Sequence, residues 1–291
     1  MQPKASLEDR ILRTLERVDQ DLPTIPVVLS RIMHLTTSDN TSIRDLIEVL
    51  NQDQALTARM LRVANSVYYS LREKVTTLER AVVVLGFDMV RSLAVGASFI
   101  RYFTPRSKHS GFDLNAFWTH TTAVGVFSEN LAREFRFTEP ADAFTAGILH
   151  DIGKLFLLIY FQEDFERTLS RLSGGRLDFF EAEMAEHGLD HAGVAGFFLE
   201  HWRIPSTLTS PIRCHHGPLP PGPEAGLAAV IGLADYAARY FQIGSSGSPY
   251  LSPPQPDMLH AFGLTAAGFQ ALLELLAGKR TEVFKLISAL D

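Results

Sequence analysis

Residues 146–154 read Ala146-Gly147-Ile148-Leu149-His150-Asp151-Ile152-Gly153-Lys154. An apolar, helix-forming stretch runs into an imidazole, meets a carboxylate at once, and then turns apolar again. Both polar groups are costly to bury unpaired. A metal ion satisfies both, because neutral imidazole and carboxylate oxygen together suit zinc, iron or manganese. A His-Asp pair hydrogen-bonded at a helix end satisfies them too, and the dipeptide alone does not choose.

Outward from this stretch the apolar spacing is helical. Between 43 and 67, apolar side chains recur at Ile43, Leu46, Ile47, Leu50, Leu56, Met60, Leu61 and Ala64, the spacing of an amphipathic helix, with a break near 51–54. Ser42 followed by Asp45 predicts a capped helix start. The segment 78–85 leads into Gly86, a helix stop, and a new helix is expected from Asp88. Further helices are expected over 116–135 and 140–161, and a last hairpin over 258–290. The proline-rich stretches 219–226 and 243–256 read as loops, since proline cannot continue a helix. No alternating strand pattern of any length is present. The fold class is therefore all-α, and the polar, turn-rich 104–115 marks a boundary between residues 1–112 and residues 113–291.

Composition narrows the function. The chain has 291 residues, 46% hydrophobic and 21% charged, with a formal net charge of -6. No basic run is present, so no nucleic-acid partner is expected, because phosphate binding needs clustered Lys and Arg. The single cysteine, Cys214, excludes an internal disulfide and fits a reducing, cytoplasmic setting. No apolar run reaches the roughly 18 residues of a membrane span, so no membrane association is expected.

The His-Asp pair is not isolated. His120 lies 30 residues earlier on a predicted helix, in Phe117-Trp118-Thr119-His120-Thr121. His191 opens another, with Asp190 as its N-cap. His215-His216 forms a second histidine pair, and Asp235 sits inside the apolar helix Val230-Ile231-Gly232-Leu233-Ala234-Asp235-Tyr236-Ala237. Spread over separate helices, these residues could converge as a metal site in a bundle core. Taken one at a time, each is as readily a satisfied core residue. His187, four residues before His191, reads as a surface or supporting residue, because Gly188 and Asp190 interrupt the helix. His34, His109, His201 and His260 have no partner pattern. Cys214 reads as a small buried hydrophobe, with a thiolate ligand or redox-sensitive thiol as the alternative, and Asn65 as a residue closing a turn between helices, with a ligand or partner surface as the alternative.

The order His…His-Asp…His…His-His…Asp resembles the HD superfamily of metal-dependent phosphohydrolases, closest to variants with two-metal sites such as the HD-GYP phosphodiesterases. His150-Asp151-Ile152-Gly153-Lys154 matches that motif as it stands. Upstream, Leu22-Pro23-Thr24-Ile25-Pro26, the stretch from Asp53 to Ser66, and Thr77 to Gly86 are similar to the HDOD family, an HD-related output domain. That resemblance covers roughly residues 22–216. It implies an HD-domain-like helical bundle preceded by an amino-terminal helical subdomain, and a role in bacterial signal transduction. Most HDOD members have lost the HD ligands and act through protein contacts, whereas this chain keeps a match at every ligand position. Gly217-Pro218-Leu219-Pro220 stands where a GYP-bearing loop would be, which counts against cyclic-di-GMP hydrolysis.

The resemblance implies the following roles. Asp151 would bridge two metals; His120, His150 and Asp235 would complete one, and His191 and His215, with His216 as a further candidate, the other. Asp151 and Lys154 are the candidate catalytic residues, with Lys154 near a phosphate; a solvated helix-end lysine is the alternative. The implied cofactor is one or two divalent transition metals, iron or manganese ahead of zinc or nickel. Signalling proteins are the implied partners, together with a phosphate-containing small ligand. Two functions stay open, a regulatory protein and a metal-dependent phosphohydrolase.

Overall fold

Capping side chains set the helix starts. The computed structural model describes residues 5–16, 28, 30–32, 42–66, 69, 74–104 and 111–290. Ser42 and Asp45 form the expected capping box, each side chain accepting from the other's backbone N–H, and α2 (Ile43–Asn51) follows. Asp53 starts α3 (Gln54–Ala64) by accepting from Ala55 and Leu56. Thr77 starts α4 (Leu78–Leu85), and Gly86, at φ 87°, joins it to α5 (Phe87–Phe103). Before them stands α1 (Leu7–Glu16). Asn65 does close a turn: its amide donates to Leu61 O at 2.7 Å and Val75 O at 2.6 Å, and its carbonyl accepts from Val75 N at 2.8 Å. The 22–26 motif, His34 and His109 lie outside the described residues.

The second half begins with α6 (Leu114–Phe135), capped by Asp113, and packs it along α7 (Pro140–Leu149). The single helix expected over 140–161 is two. The chain turns at His150-Asp151, where Asp151 has φ -94° and ψ 4°, and α8 (Ile152–Tyr160) then begins. The turn keeps both side chains at the centre of the fold. Then follow α9 (Gln162–Leu172), α10 (Phe179–His187), α11 (His191–His201), α12 (Ser206–Arg213) and α13 (Glu224–Tyr240). The expected hairpin at the end is three helices, α14 (Pro256–Ala261), α15 (Ala266–Gly278) and α16 (Arg280–Leu290). No strand occurs among the described residues, so the chain is all-α.

Two glycines bring the central helices into contact. A Cβ on Gly147 would stand 2.8 Å from Gly125 Cα, so α6 and α7 meet backbone to backbone. A Cβ on Gly153 would overlap the carbonyl oxygen of His191 at 1.9 Å, so α8 lies directly on α11. That contact sets Asp151 beside His191. Most buried apolar side chains form one cluster running from Leu7 to Leu290, and Ala64, Val75 and Ala81 form a small second one. The core is thus continuous across residue 112, and α1 packs against α11.

One expectation about apolar length needs correcting. Read together, Pro140–Tyr160 is long and apolar enough to cross a membrane, and α4 with α5 passes the same test across a 115° bend. In the fold 89% of the first stretch is buried against other helices. Its apolarity belongs to the core, interrupted at Asp142, Thr145, His150, Asp151 and Lys154.

Candidate metal centre

The seven residues proposed as ligands meet at one place. His120 comes from α6, His150 and Asp151 from the α7–α8 turn, and His191 from the first turn of α11, whose N-cap Asp190 accepts from Gly193 N at 2.8 Å. His215 and His216 follow α12, and Asp235 comes from the middle of α13. They form two groups, Asp151–His191–His215–His216 and His120–His150–Asp235, each with donor atoms within 4.8 Å of one another. All are buried except His216, which is half-buried and stacks on Phe180 with ring centroids 4.5 Å apart.

Asp151 stands between the groups. Its Oδ1 is 2.9 Å from His191 Nε2 and 4.0 Å from His215 Nε2. Its Oδ2 is 3.4 Å from His150 Nε2 and 3.8 Å from His120 Nε2. His120 Nε2 lies 3.0 Å from Asp235 Oδ1, and His216 Nε2 lies 2.9 Å from His191 Nε2. Ligands bonded at 2.0–2.1 Å to a shared ion stand about 3 Å apart, the spacing of the shortest of these contacts.

The hydrogen bonding fits a metal better than a self-contained polar cluster. His150 Nδ1 is 2.7 Å from Gly147 O, and His215 Nδ1 is 2.7 Å from Ile212 O. An N–H donated there leaves each Nε2 as a lone pair facing the centre. His150 Nε2, His215 Nε2 and both ring nitrogens of His120 are nevertheless buried without a hydrogen bond; the close approach of His120 to Asp235 lacks the alignment for one. Buried nitrogens of this kind are rare unless something else binds them. His191 differs, because its Nδ1 lies 2.5 Å from Glu183 Oε2 and its backbone N–H donates to the same oxygen at 2.8 Å.

Burial and neighbouring charge set the protonation. Desolvation lowers the pKa of His120, takes His215 down to about 3, and holds His216 well below the usual imidazole value. Burial acts on His191 in the same direction, but Glu183 and Asp151 outweigh it and push it up to about 9. Burial would raise Asp151, yet His150, Lys154 and His191 hold it well below the carboxylate range. Asp235 is likewise held low against burial, chiefly by Arg239 and His120.

Lys154 is not a solvated helix-end lysine. It is 2% exposed; its ammonium donates to Asp151 Oδ2 at 2.6 Å and Ser246 O at 3.0 Å, and lies 4.8 Å from the centre of the Phe179 ring. His187 points away from the centre, its ring against Thr168, Asp164 O and Asp164 Oδ1. Cys214, at the end of α12, belongs to neither ligand group, and His201 and His260 are exposed. Glu183 and Arg239 were not anticipated. Arg239 lies four residues after Asp235 on the same helix face and reaches its Oδ2 at 3.3 Å, so spacing could have revealed it. Glu183 carries no such signal, because the α10–α11 turn separates it from His191.

The HDOD domain family matches residues 22–218. The chain belongs to the HDOD family. An HDOD domain protein of unknown function from Geobacter sulfurreducens shares the fold, with a TM-score of 0.80 at 22% identity over 97% of each chain. A candidate phosphohydrolase from Shewanella amazonensis SB2B superposes with a TM-score of 0.75 at 25% identity, over 97% of this chain and 98% of that one. An uncharacterized protein of Treponema pallidum (strain Nichols) is 24% identical over 263 residues. This HDOD chain spans about half the length of that relative, 46%.

Proposed function

We propose that this HDOD protein is a bacterial signal-transduction regulator whose HD-type centre holds two divalent metals. His120, His150 and Asp235 would hold one and His191, His215 and His216 the other, with Asp151 shared. The observation that carries the reading is the carboxylate of Asp151, one oxygen turned to each group of histidines, with the Nε2 atoms of His120, His150 and His215 buried without a hydrogen bond. Imidazole and carboxylate donors without a thiolate suit iron or manganese over a structural zinc. Glu183, Gly147 O and Ile212 O orient three of the rings.

Regulation is favoured over turnover by how little room the centre leaves. A cavity of about 30 Å³ lies against His215, His216 and Asp235, space for water and not for a phosphoester. Cavities of about 340 and 700 Å³ lie nearby, but they touch a single candidate ligand each, His120 and His216. Signalling proteins are the proposed partners, in a cytoplasmic setting.

Hydrolysis is the second reading, supported by the ligand set and by the name of the Shewanella relative. Bound dications would supply Lewis acidity and a more acidic water. Asp151 would be the carboxylate shared by the two groups of ligands, and Lys154 would be the cation beside it. One experiment separates the readings: elemental analysis of protein prepared without chelator, followed by an assay on bis(p-nitrophenyl) phosphate. One to two ions per chain without turnover supports the regulator, turnover proportional to metal supports the hydrolase, and less than about a tenth of an ion after reconstitution removes both.

A further inference from the structure

Residues 244–255, between α13 and α14, run as a strap across the metal centre. The strap enters at Gly244, φ 68°, where a Cβ would stand 2.4 Å from His120 N, so its backbone lies on the helix that carries this ligand. Ser245 N donates to Ala116 O at 2.9 Å. Ser248 Oγ donates to Asp178 Oδ1 at 2.7 Å and accepts from Phe179 N at 3.1 Å.

Two cations tie the strap to the ligands themselves. Lys154 donates to Asp151 Oδ2 at 2.6 Å and to the strap carbonyl of Ser246 at 3.0 Å. Arg239 donates to Asp235 Oδ2 at 3.3 Å, to Asp178 Oδ2 at 2.6 Å, and to the strap carbonyl of Tyr250 at 2.6 Å. Each cation has one hand on a candidate ligand carboxylate and another on the strap. Asp151 Oδ2, the oxygen that Lys154 holds, also faces His150 and His120. A dication taken up there would compete for that oxygen and repel the ammonium beside it. Asp151, Asp235 and Asp178 face Lys154 and Arg239 in this cluster, a negative balance that dications would reverse.

We infer that the strap reports metal loading: uptake of the dications displaces Lys154 and weakens the grip of Arg239, and residues 244–255 loosen from the centre. This rests on the metal reading proposed above and adds its regulation. The output would be the conformation of an accessible segment, with Tyr250 44% exposed at its middle. The coupling is reciprocal by necessity, so whatever loosens the strap tightens metal binding by the same factor.

Amide hydrogen exchange, read by mass spectrometry on the full chain, tests this. The chain is stripped with chelator and then loaded with Mn²⁺, with bound manganese counted by elemental analysis in the same samples. Loading is expected to speed exchange in 244–255 by about 5-fold or more, a typical coupling between sites, while α6 and α13 stay protected. Ser248→Ala cuts an anchor that touches no ligand. It should speed strap exchange without metal and tighten Mn²⁺ binding by a matching factor. Manganese bound with strap exchange unchanged or slowed overturns the coupling and leaves the metal site standing. No manganese bound overturns both. Looser strap exchange in Ser248→Ala with Mn²⁺ affinity unchanged also overturns the coupling.

Discussion

A single carboxylate oxygen of Glu183 accepts both the backbone N–H and the ring Nδ1 of His191, at 2.8 and 2.5 Å. Glu183 thereby fixes the first residue of α11 and turns its Nε2 toward Asp151. Carboxylates behind ligand histidines set the tautomer and raise basicity. Glu183→Gln keeps the shape and removes the charge. Its metal affinity should fall about 10–100-fold, measured by competition with a chromophoric chelator, with little change in the circular dichroism of the helices. Unchanged affinity would remove Glu183 from the site.

Asp151→Ala removes the carboxylate placed between the two groups, so metal content should drop at least as far as for Glu183→Gln. His187→Ala, four residues from His191 but turned to Asp164 and Thr168, should retain wild-type metal. Equal metal content in the two variants, by elemental analysis, would break the assignment.

The amino-terminal helix is tied down by charge. Arg10 of α1 donates to both oxygens of the buried Asp164, which Arg167 also holds. Burial raises the Asp164 pKa, but Arg10 and Arg167 overcome it and leave it below the ordinary 3.8. A carboxylate depressed in the folded state stabilises above its unfolded pKa and loses that contribution as pH falls through its folded one. Asp164→Asn should therefore cost about 1–2 kcal/mol at pH 6, Arg10 being a third exposed. The gap between variant and wild type should close below about pH 3.8. Thermal melts across that range check it, and a gap that widens on acidification contradicts it.

Asn65, at the end of α3, makes two hydrogen bonds to Val75 and one back to Leu61 O. Asn65→Ala leaves the Val75 N–H and carbonyl without this partner and should lower stability by about 1–3 kcal/mol. Metal content should stay at wild type, since none of its bonds reaches the centre. Loss of metal with unchanged melting would show that this region helps build the site.

Periodicity and capping are local, so the sequence determined them: the all-α class, the capping box at Ser42-Asp45, the Asp190 cap that starts α11 at His191, and the break at 51–54. The order His120, His150-Asp151, His191, His215-His216 and Asp235, through its resemblance to the HD pattern, also pointed to the residues that meet. What only the tertiary structure decided is how they meet. The turn at His150-Asp151 is hidden in an apolar run that reads as one helix, because packing around it, not propensity, bends the chain. Whether Asp151 lies between two groups depends on Gly153 letting α8 touch α11, a distance that no spacing encodes. Lys154 looked solvated because lysine almost always is; its burial follows from a carboxylate and a carbonyl, Ser246 O, brought 92 residues along the chain to meet it. Glu183 was illegible for the same reason, since its partner lies across a helix turn whose direction is set by the core.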